Sequence, residues 1–154
     1  MPDYKCILFD CMETVVDVIE MPDTRLYAYW AYDGCGYESL WESFDVFTKS
    51  YSNIRNEFKN SYINFKEYNL YDIFKNLARQ LTDDDNVEEK VTGALFNNYW
   101  RNYKSNCIVY DSVKSLLSEL SSKYKLGIVS NFIVEDGVEE LLEINGIHKY
   151  FDFV

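Results

Sequence analysis

Two short apolar runs differ from the rest of the chain because their hydrophobic residues are consecutive. The first lies within residues 4–10, where Ile7-Leu8-Phe9 is followed by Asp10; the second is 126–129, followed by Ser130-Asn131. Consecutive apolar residues over so short a length are typical of strands covered on both faces. We therefore expect two strands, with the first in the middle of a parallel sheet.

The residues between the two runs have the three- and four-residue spacing of amphipathic helices. Helices are predicted over residues 25–32, 38–58, 69–81 and 87–104. In the second of these, one stripe contains Leu40, Phe44, Phe47, Tyr51, Ile54 and Phe58. Asn69 is predicted to cap the third helix, and the acidic run Asp83-Asp84-Asp85 to stabilise the start of the fourth through the helix dipole.

The final third of the chain alternates between helix and strand. Asp111 is predicted to cap a helix, a further helix spans 135–144, and residues 150–154 begin another strand. Strands that alternate with helices indicate a parallel sheet with right-handed crossovers. The predicted division is a sheet-containing core of residues 1–17 and 106–154 and a helical insertion of residues 18–105.

Composition narrows the function classes. The 154 residues are 47% hydrophobic and 18% aromatic, too apolar for a disordered chain, and the net charge of −11 argues against a nucleic-acid partner. No apolar run approaches the roughly 18 residues that a membrane span needs. The four cysteines lack C-x-x-C spacing, which favours reduced thiols in a cytoplasmic protein.

Two motifs are similar to those of a known family. Asp10 and Thr14, with Val15-Val16-Asp17 after them, resemble motif I of the haloacid dehalogenase-like (HAD) superfamily. Residues 126–131, Leu-Gly-Ile-Val-Ser-Asn, resemble its motif II, and the helical insertion has the size and place of its cap. The resemblance implies a HAD-like Rossmannoid α/β fold, incomplete in this chain, with an inserted all-helical cap.

The resemblance also implies a chemistry, namely hydrolysis of a small anionic metabolite through an aspartyl ester. Its implied catalytic residues are Asp10 as nucleophile, Ser130 and Asn131 to orient the transferring or leaving group, and Thr14 to shape the loop. Its implied substrate-binding residues are Cys11 and Met12. Arg25 is a further candidate, because a guanidinium binds a carboxylate through two hydrogen bonds, but a surface ion pair is at least as well supported for it. Mg²⁺ held by Asp10 and the Met12 carbonyl is implied for a phosphatase and is not required by a dehalogenase.

Two positions in the loop depart from the family pattern. Met12 replaces the acid that protonates a leaving alkoxide, and a thioether cannot transfer a proton. Both a phosphatase and a dehalogenase therefore remain open, because a halide leaves without a proton. Glu13 replaces a glycine at a position where freedom to adopt positive φ is useful, and it is either a substitute acid or a solvent-facing residue.

The third departure concerns the family's motif III lysine and motif IV acids, which lie downstream of the strand that residues 151–154 begin. We expect a truncated form with impaired activity and an open hydrophobic sheet edge beside the first strand. Self-association through that edge is a further expectation. The alternative function is a non-catalytic HAD-like module that binds a partner protein through its cap or the open edge.

Overall fold

The computed structural model describes residues 4–61 and 68–154, which form two compact units. One is an α/β unit of Met1–Glu20 and Asn106–Val154, and the other a helical unit of Met21–Ser105. The strands are β1 (Cys6–Phe9), β2 (Asp17–Val18), β3 (Cys107–Ile108) and β4 (Lys125–Ile128). The α-helices are α1 (Thr24–Tyr32), α2 (Phe44–Ser61), α3 (Leu70–Arg79), α4 (Asp85–Ser105), α5 (Asp111–Ser121) and α6 (Gly137–Ile144).

In the α/β unit, β1 pairs with β4 in parallel, with Phe9 opposite Ile128. A second pair is antiparallel, β2 with β3, and places Val18 opposite Cys107. The other side of β4 is bridged in parallel by Phe153, opposite Gly127. Among the described residues the order is therefore β1, β4, then the bridging residue, and β4 is the central strand.

The prediction that β1 is central and covered on both faces is wrong for the described residues. Its side chains alternate between exposed and half-buried, and Leu8 is 58% exposed. By contrast, Leu126 and Ile128 of β4 are buried. An apolar run alone cannot distinguish the two cases, because the exposure of a face depends on what packs against it.

Residues 150–154, predicted to begin a strand, contribute one bridge at Phe153, and Tyr150 instead ends a 3₁₀ turn of His148–Tyr150. The Ile128 N–H donates to the Phe153 carbonyl at 3.1 Å, and the Asp152 N–H donates to the Leu126 carbonyl at 2.8 Å. The Asp152 carboxylate also accepts the Leu126 N–H at 3.0 Å. A side chain at Gly127 would collide with the Phe153 ring, so only glycine permits this close approach.

The helical unit is built from α1 to α4 around stacked aromatic rings. Tyr51 stacks on Phe47 and on Phe74 at centroid distances of 6.3 and 6.1 Å. The predicted Asn69 cap is confirmed, since Asn69 accepts the Tyr71 N–H at 2.9 Å. In the acidic run at the start of α4, Asp84 accepts the Asn86 N–H at 2.9 Å. These bonds satisfy N–H groups that have no partner within a helix.

The helix predicted over 38–58 is in fact two elements. Glu38–Leu40 forms one 3₁₀ turn, and α2 begins only at Phe44. Between them, Trp41 is buried and packs edge-on against Phe47 at 4.9 Å. The burial of Trp41 explains the break, because its ring lies outside the stripe that a continuous helix would bury.

Candidate active site

Asp10 and Ser130 lie at the same end of the sheet. The Val129 N–H donates to the Phe9 carbonyl at 2.9 Å, so the pairing of β1 with β4 continues to the residues directly before both side chains. Asp10 is exposed, Ser130 is half-buried, and Asn131 is exposed. Parallel strands place their reactive groups at their carboxyl ends, which is where these three residues follow β1 and β4.

The Asp10 carboxylate is oriented by its own backbone neighbour. Its Oδ1 accepts the Cys11 N–H at 2.7 Å. A carboxylate held through one oxygen presents the other in a defined direction, which suits a nucleophile. This bond uses the N–H of Cys11, a residue that the family resemblance implies for substrate binding.

The loop after Asp10 is closed by three main-chain hydrogen bonds. Glu13 N–H donates to the Val16 carbonyl at 2.7 Å, and the Val15 and Val16 N–H groups donate to the Cys11 carbonyl at 2.9 and 3.0 Å. Burial of the Val15 and Val16 side chains anchors the loop. The Met12 N–H and carbonyl take no part in these three bonds, so they are the loop groups best suited to a ligand.

The tip of the loop contains Glu13 and Thr14, both exposed. Glu13 has φ 57°, in the left-handed region that glycine favours. Thr14 lies in the same turn, so its predicted role of shaping the loop is compatible with its place.

Cys11 is adjacent to Asp10 but is a poor nucleophile. Burial raises the pKa of its thiol to about 12, with further increases from the charges of Asp10 and Glu139. Burial also raises the pKa of the nearby Cys107 thiol to about 12. Because a thiolate is the reactive form, both thiols are inert at neutral pH and Asp10 is the better candidate. All four cysteines are free thiols.

Glu139 is a carboxylate near the loop that the sequence analysis did not single out. It lies half-buried in the first turn of α6, and its charge acts on the Cys11 thiol. The helix that follows Ser130-Asn131 starts at the sheet end where Asp10 lies. Its first-turn acids were therefore the signal that could have identified Glu139.

The donor set at Asp10 limits which metals suit it. Across residues 4–61 and 68–154, no three His, Cys, Asp or Glu side chains are grouped so as to hold a metal ion. Mg²⁺ commonly binds through one or two carboxylates, with water and substrate phosphates completing its shell. The Asp10 carboxylate and the Met12 carbonyl fit that requirement.

Arg25 belongs to the helical unit and is already engaged there. Its guanidinium forms an ion pair with Asp45 at 2.9 Å and lies over the Phe44 ring at 4.8 Å. Both Arg25 and Asp45 are exposed. These contacts match the surface ion pair that the sequence left open as an alternative.

No helix in the described part of the chain has the length and apolar character to cross a membrane.

A comparison with protein-family models identifies one family. A family model for haloacid dehalogenase-like hydrolases matches residues 38–154. A search of the curated proteins gives no significant match.

Three similar solved structures are described here. A 2-haloacid dehalogenase from Pseudomonas syringae has a TM-score of 0.70 and 16% identity, over 97% of this chain and 62% of its own. A predicted phosphoglycolate phosphatase from Haemophilus somnus has a TM-score of 0.55 and 17% identity, over 99% of this chain and 62% of its own. A HAD-hydrolase from Bacillus subtilis bound to magnesium has a TM-score of 0.52 and 17% identity, over 97% of this chain and 62% of its own. This chain therefore spans under two thirds of their length, and the likeness confirms an incomplete HAD-like α/β fold with a helical cap.

Proposed function

This chain belongs to the haloacid dehalogenase-like hydrolases, and on that premise we propose that it hydrolyses a small anionic metabolite through an ester on Asp10. The observation that carries the proposal is the position of Asp10 and Ser130 after paired parallel strands, with Val129 N–H bonded to the Phe9 carbonyl at 2.9 Å. That arrangement puts the proposed nucleophile and a hydroxyl donor at the same end of the sheet.

The proposed reaction has two steps. The free Asp10 oxygen attacks phosphorus or carbon, and the bond to the leaving group breaks with its electron pair. Water then attacks the ester, which releases the product and regenerates the carboxylate. Ser130 Oγ and the Met12 N–H donate hydrogen bonds to the anionic group and hold it in line.

Met12 determines which leaving groups suit this loop. Because its side chain cannot donate a proton, groups that depart as stable anions are favoured. Halides and weakly basic phosphate-ester oxygens both meet that requirement, so a dehalogenase and a phosphatase remain the two reaction types. In the phosphatase, Mg²⁺ on Asp10 and Met12 would supply positive charge to the phosphoryl oxygens.

We expect residues 1–154 on their own to turn over slowly. Among the described residues of the α/β unit, Lys5, Lys123 and Lys125 line a cavity at the other end of the sheet. Lys114 contacts Asp111 at 3.9 Å, and Lys149 lies over the Tyr150 ring at 5.1 Å. None of these five supplies the cation that would hold the nucleophile and the transferring group.

The four free thiols fit a reducing compartment, which we propose is the cytoplasm.

The test is single-turnover reaction in ¹⁸O-water, with peptide mass spectrometry to locate the label. The substrates are p-nitrophenyl phosphate with Mg²⁺ and 2-chloropropionate without it. Asp17→Asn is a matched control for Asp10→Asn, because Asp17 also accepts the N–H of the next residue, at 2.8 Å. Hydrolysis of the ester at its carboxyl carbon, as in a dehalogenase, leaves ¹⁸O in Asp10. Attack at phosphorus instead labels the released phosphate.

The expected result is product from the wild-type chain and from Asp17→Asn, and none from Asp10→Asn. Label in Asp10 identifies the dehalogenase type, and label in phosphate the phosphatase type. Equal product from Asp10→Asn, or no product from the wild-type chain with either substrate, would overturn the proposal.

A second candidate function is docking of a protein partner on the open edge of β1. It is favoured by the exposure of Leu8 on a strand that pairs on only one side among the described residues. Edge strands with exposed apolar side chains are prone to pair with another chain.

A further inference from the structure

The α/β unit has a polar cavity at the sheet end opposite Asp10. Lys5 directly precedes β1 and Lys125 begins β4, so the cavity lies where these parallel strands start. Its volume is about 620 Å³, within the range of small-molecule sites. Its lining includes Tyr4, Lys5, Lys123, Tyr124, Lys125 and Asp152.

The lining concentrates positive charge in an acidic protein. The chain has 26 acidic and 15 basic residues, and the α/β unit contains five lysines and no arginine. Three of those five lysines, Lys5, Lys123 and Lys125, line this cavity, and Asp152 is the one acidic side chain in its lining among residues 4–61 and 68–154. One Asp152 oxygen accepts the Leu126 N–H, which offsets part of its charge. Positive charge gathered in a recess favours an anionic ligand.

Two of the lining lysines lie at the start of adjacent strands. The Lys125 N–H donates to the Lys5 carbonyl at 3.0 Å, so these lysines are neighbours on adjacent strands. Neither forms an ion pair with a described residue, whereas Lys123 pairs with Glu119 at 2.6 Å. The ammonium groups of Lys5 and Lys125 therefore keep their full charge available to an anion in the cavity.

We propose that this cavity binds a small polyphosphate. The ammonium groups of Lys5, Lys123 and Lys125 contact the phosphates as point charges. A ligand with several negative charges suits the site better than a single carboxylate, because three lysines line the cavity and the charge of Asp152 must be outweighed. Tyr4 is 71% exposed and offers a ring on which a nucleoside base can stack.

Calorimetric titration tests the proposal with tripolyphosphate and with ATP, both in EDTA. Lys5→Gln/Lys125→Gln is compared with Lys114→Gln/Lys149→Gln, which removes the same charge from the same unit outside the cavity. We expect Lys5→Gln/Lys125→Gln to weaken binding roughly tenfold or more, because charge-assisted contacts are lost. Lys114→Gln/Lys149→Gln should weaken binding about twofold or less. Glu119→Gln frees Lys123 and is expected to tighten binding.

Amide chemical shifts locate the ligand. We expect shifts at residues 5 and 125 and none at 11 or 130, with binding retained in Asp10→Asn. If ATP binds more tightly than tripolyphosphate and Tyr4→Ala removes that difference, the ligand is a nucleoside polyphosphate. If the two probes bind with equal affinity, the ligand is a free polyphosphate chain. No binding of either probe at millimolar concentration, equal loss in both lysine variants, or shifts confined to 11 and 130 would overturn the proposal.

Discussion

Glu13 combines a charged side chain with a backbone conformation that suits glycine. Its φ is 57°, and its N–H donates to the Val16 carbonyl at 2.7 Å, which closes the loop after Asp10. The left-handed conformation costs a residue with a Cβ about 1–2 kcal/mol. The loop therefore stores strain beside the proposed nucleophile.

Replacing Glu13 with glycine is expected to stabilise the protein. Relief of the strain exceeds the roughly 0.5–1 kcal/mol of extra unfolded-chain entropy that glycine introduces, so the net gain is about 0.5–1 kcal/mol. Urea unfolding of Glu13→Gly measures the free energy. Glu13→Gln is the control, since it removes the charge and keeps the strain. Equal stability of the Gly and Gln variants would contradict the explanation.

At the scale of elements, asparagine side chains join α1 to α4. Asn98 is buried, and its Nδ2 donates to the carbonyls of Ala31 at 3.1 Å and Asp33 at 2.7 Å. The Asn102 Nδ2 donates to the Trp30 carbonyl at 3.0 Å. Carbonyls at the end of a helix lack partners within it, so α4 supplies the donors that α1 needs.

Asn98→Ala is expected to lower the free energy of unfolding by about 1–3 kcal/mol, because it leaves carbonyls of α1 without a donor. Asn97→Ala is a matched control: Asn97 is the preceding residue of α4 and is exposed. It gains the same helix propensity without losing a buried bond, and should change stability by no more than about 0.5 kcal/mol. The explanation fails if both variants lose the same stability in thermal or urea unfolding.

The helix boundaries illustrate how far the sequence reaches at this scale. Asn69 was identified as a cap, and the run Asp83-Asp84-Asp85 as the start of a helix, because the bonds involved connect residues only two positions apart. The start of α2 was misplaced because it depends on the burial of Trp41 against Phe47, six positions away. Local hydrogen bonding is encoded in spacing, whereas a break caused by packing is not.

At the scale of the whole molecule, an exposed strand edge and a high net charge act in opposite directions. The net charge of −11 opposes association of two copies, and the exposed Leu8 of β1 favours it. Salt weakens the repulsion without weakening apolar contact. Any association through β1 should therefore increase with ionic strength.

Light scattering after size exclusion tests this association at several protein and salt concentrations. The wild-type chain is expected to show a rising mass at high concentration and high salt. Leu8→Lys should remain monomeric. Leu116→Lys makes the same change at an exposed leucine of α5, and should associate like the wild type. A monomer under every condition would count against both self-association and partner docking on this edge.

The sequence by itself determined where β1 and β4 end, the Asn69 cap of α3 and the sheet end that Asp10 shares with Ser130. These features follow from side-chain order and from contacts within a few residues. Only the tertiary structure decided that the Cys11 and Glu13 N–H groups form hydrogen bonds within the loop. It also decided that Asn98 donates to carbonyls 67 and 65 positions away, and that the Lys125 N–H donates to the Lys5 carbonyl. The physical reason is the same throughout: the partner of a polar group and the cover of an apolar face depend on residues that folding brings together.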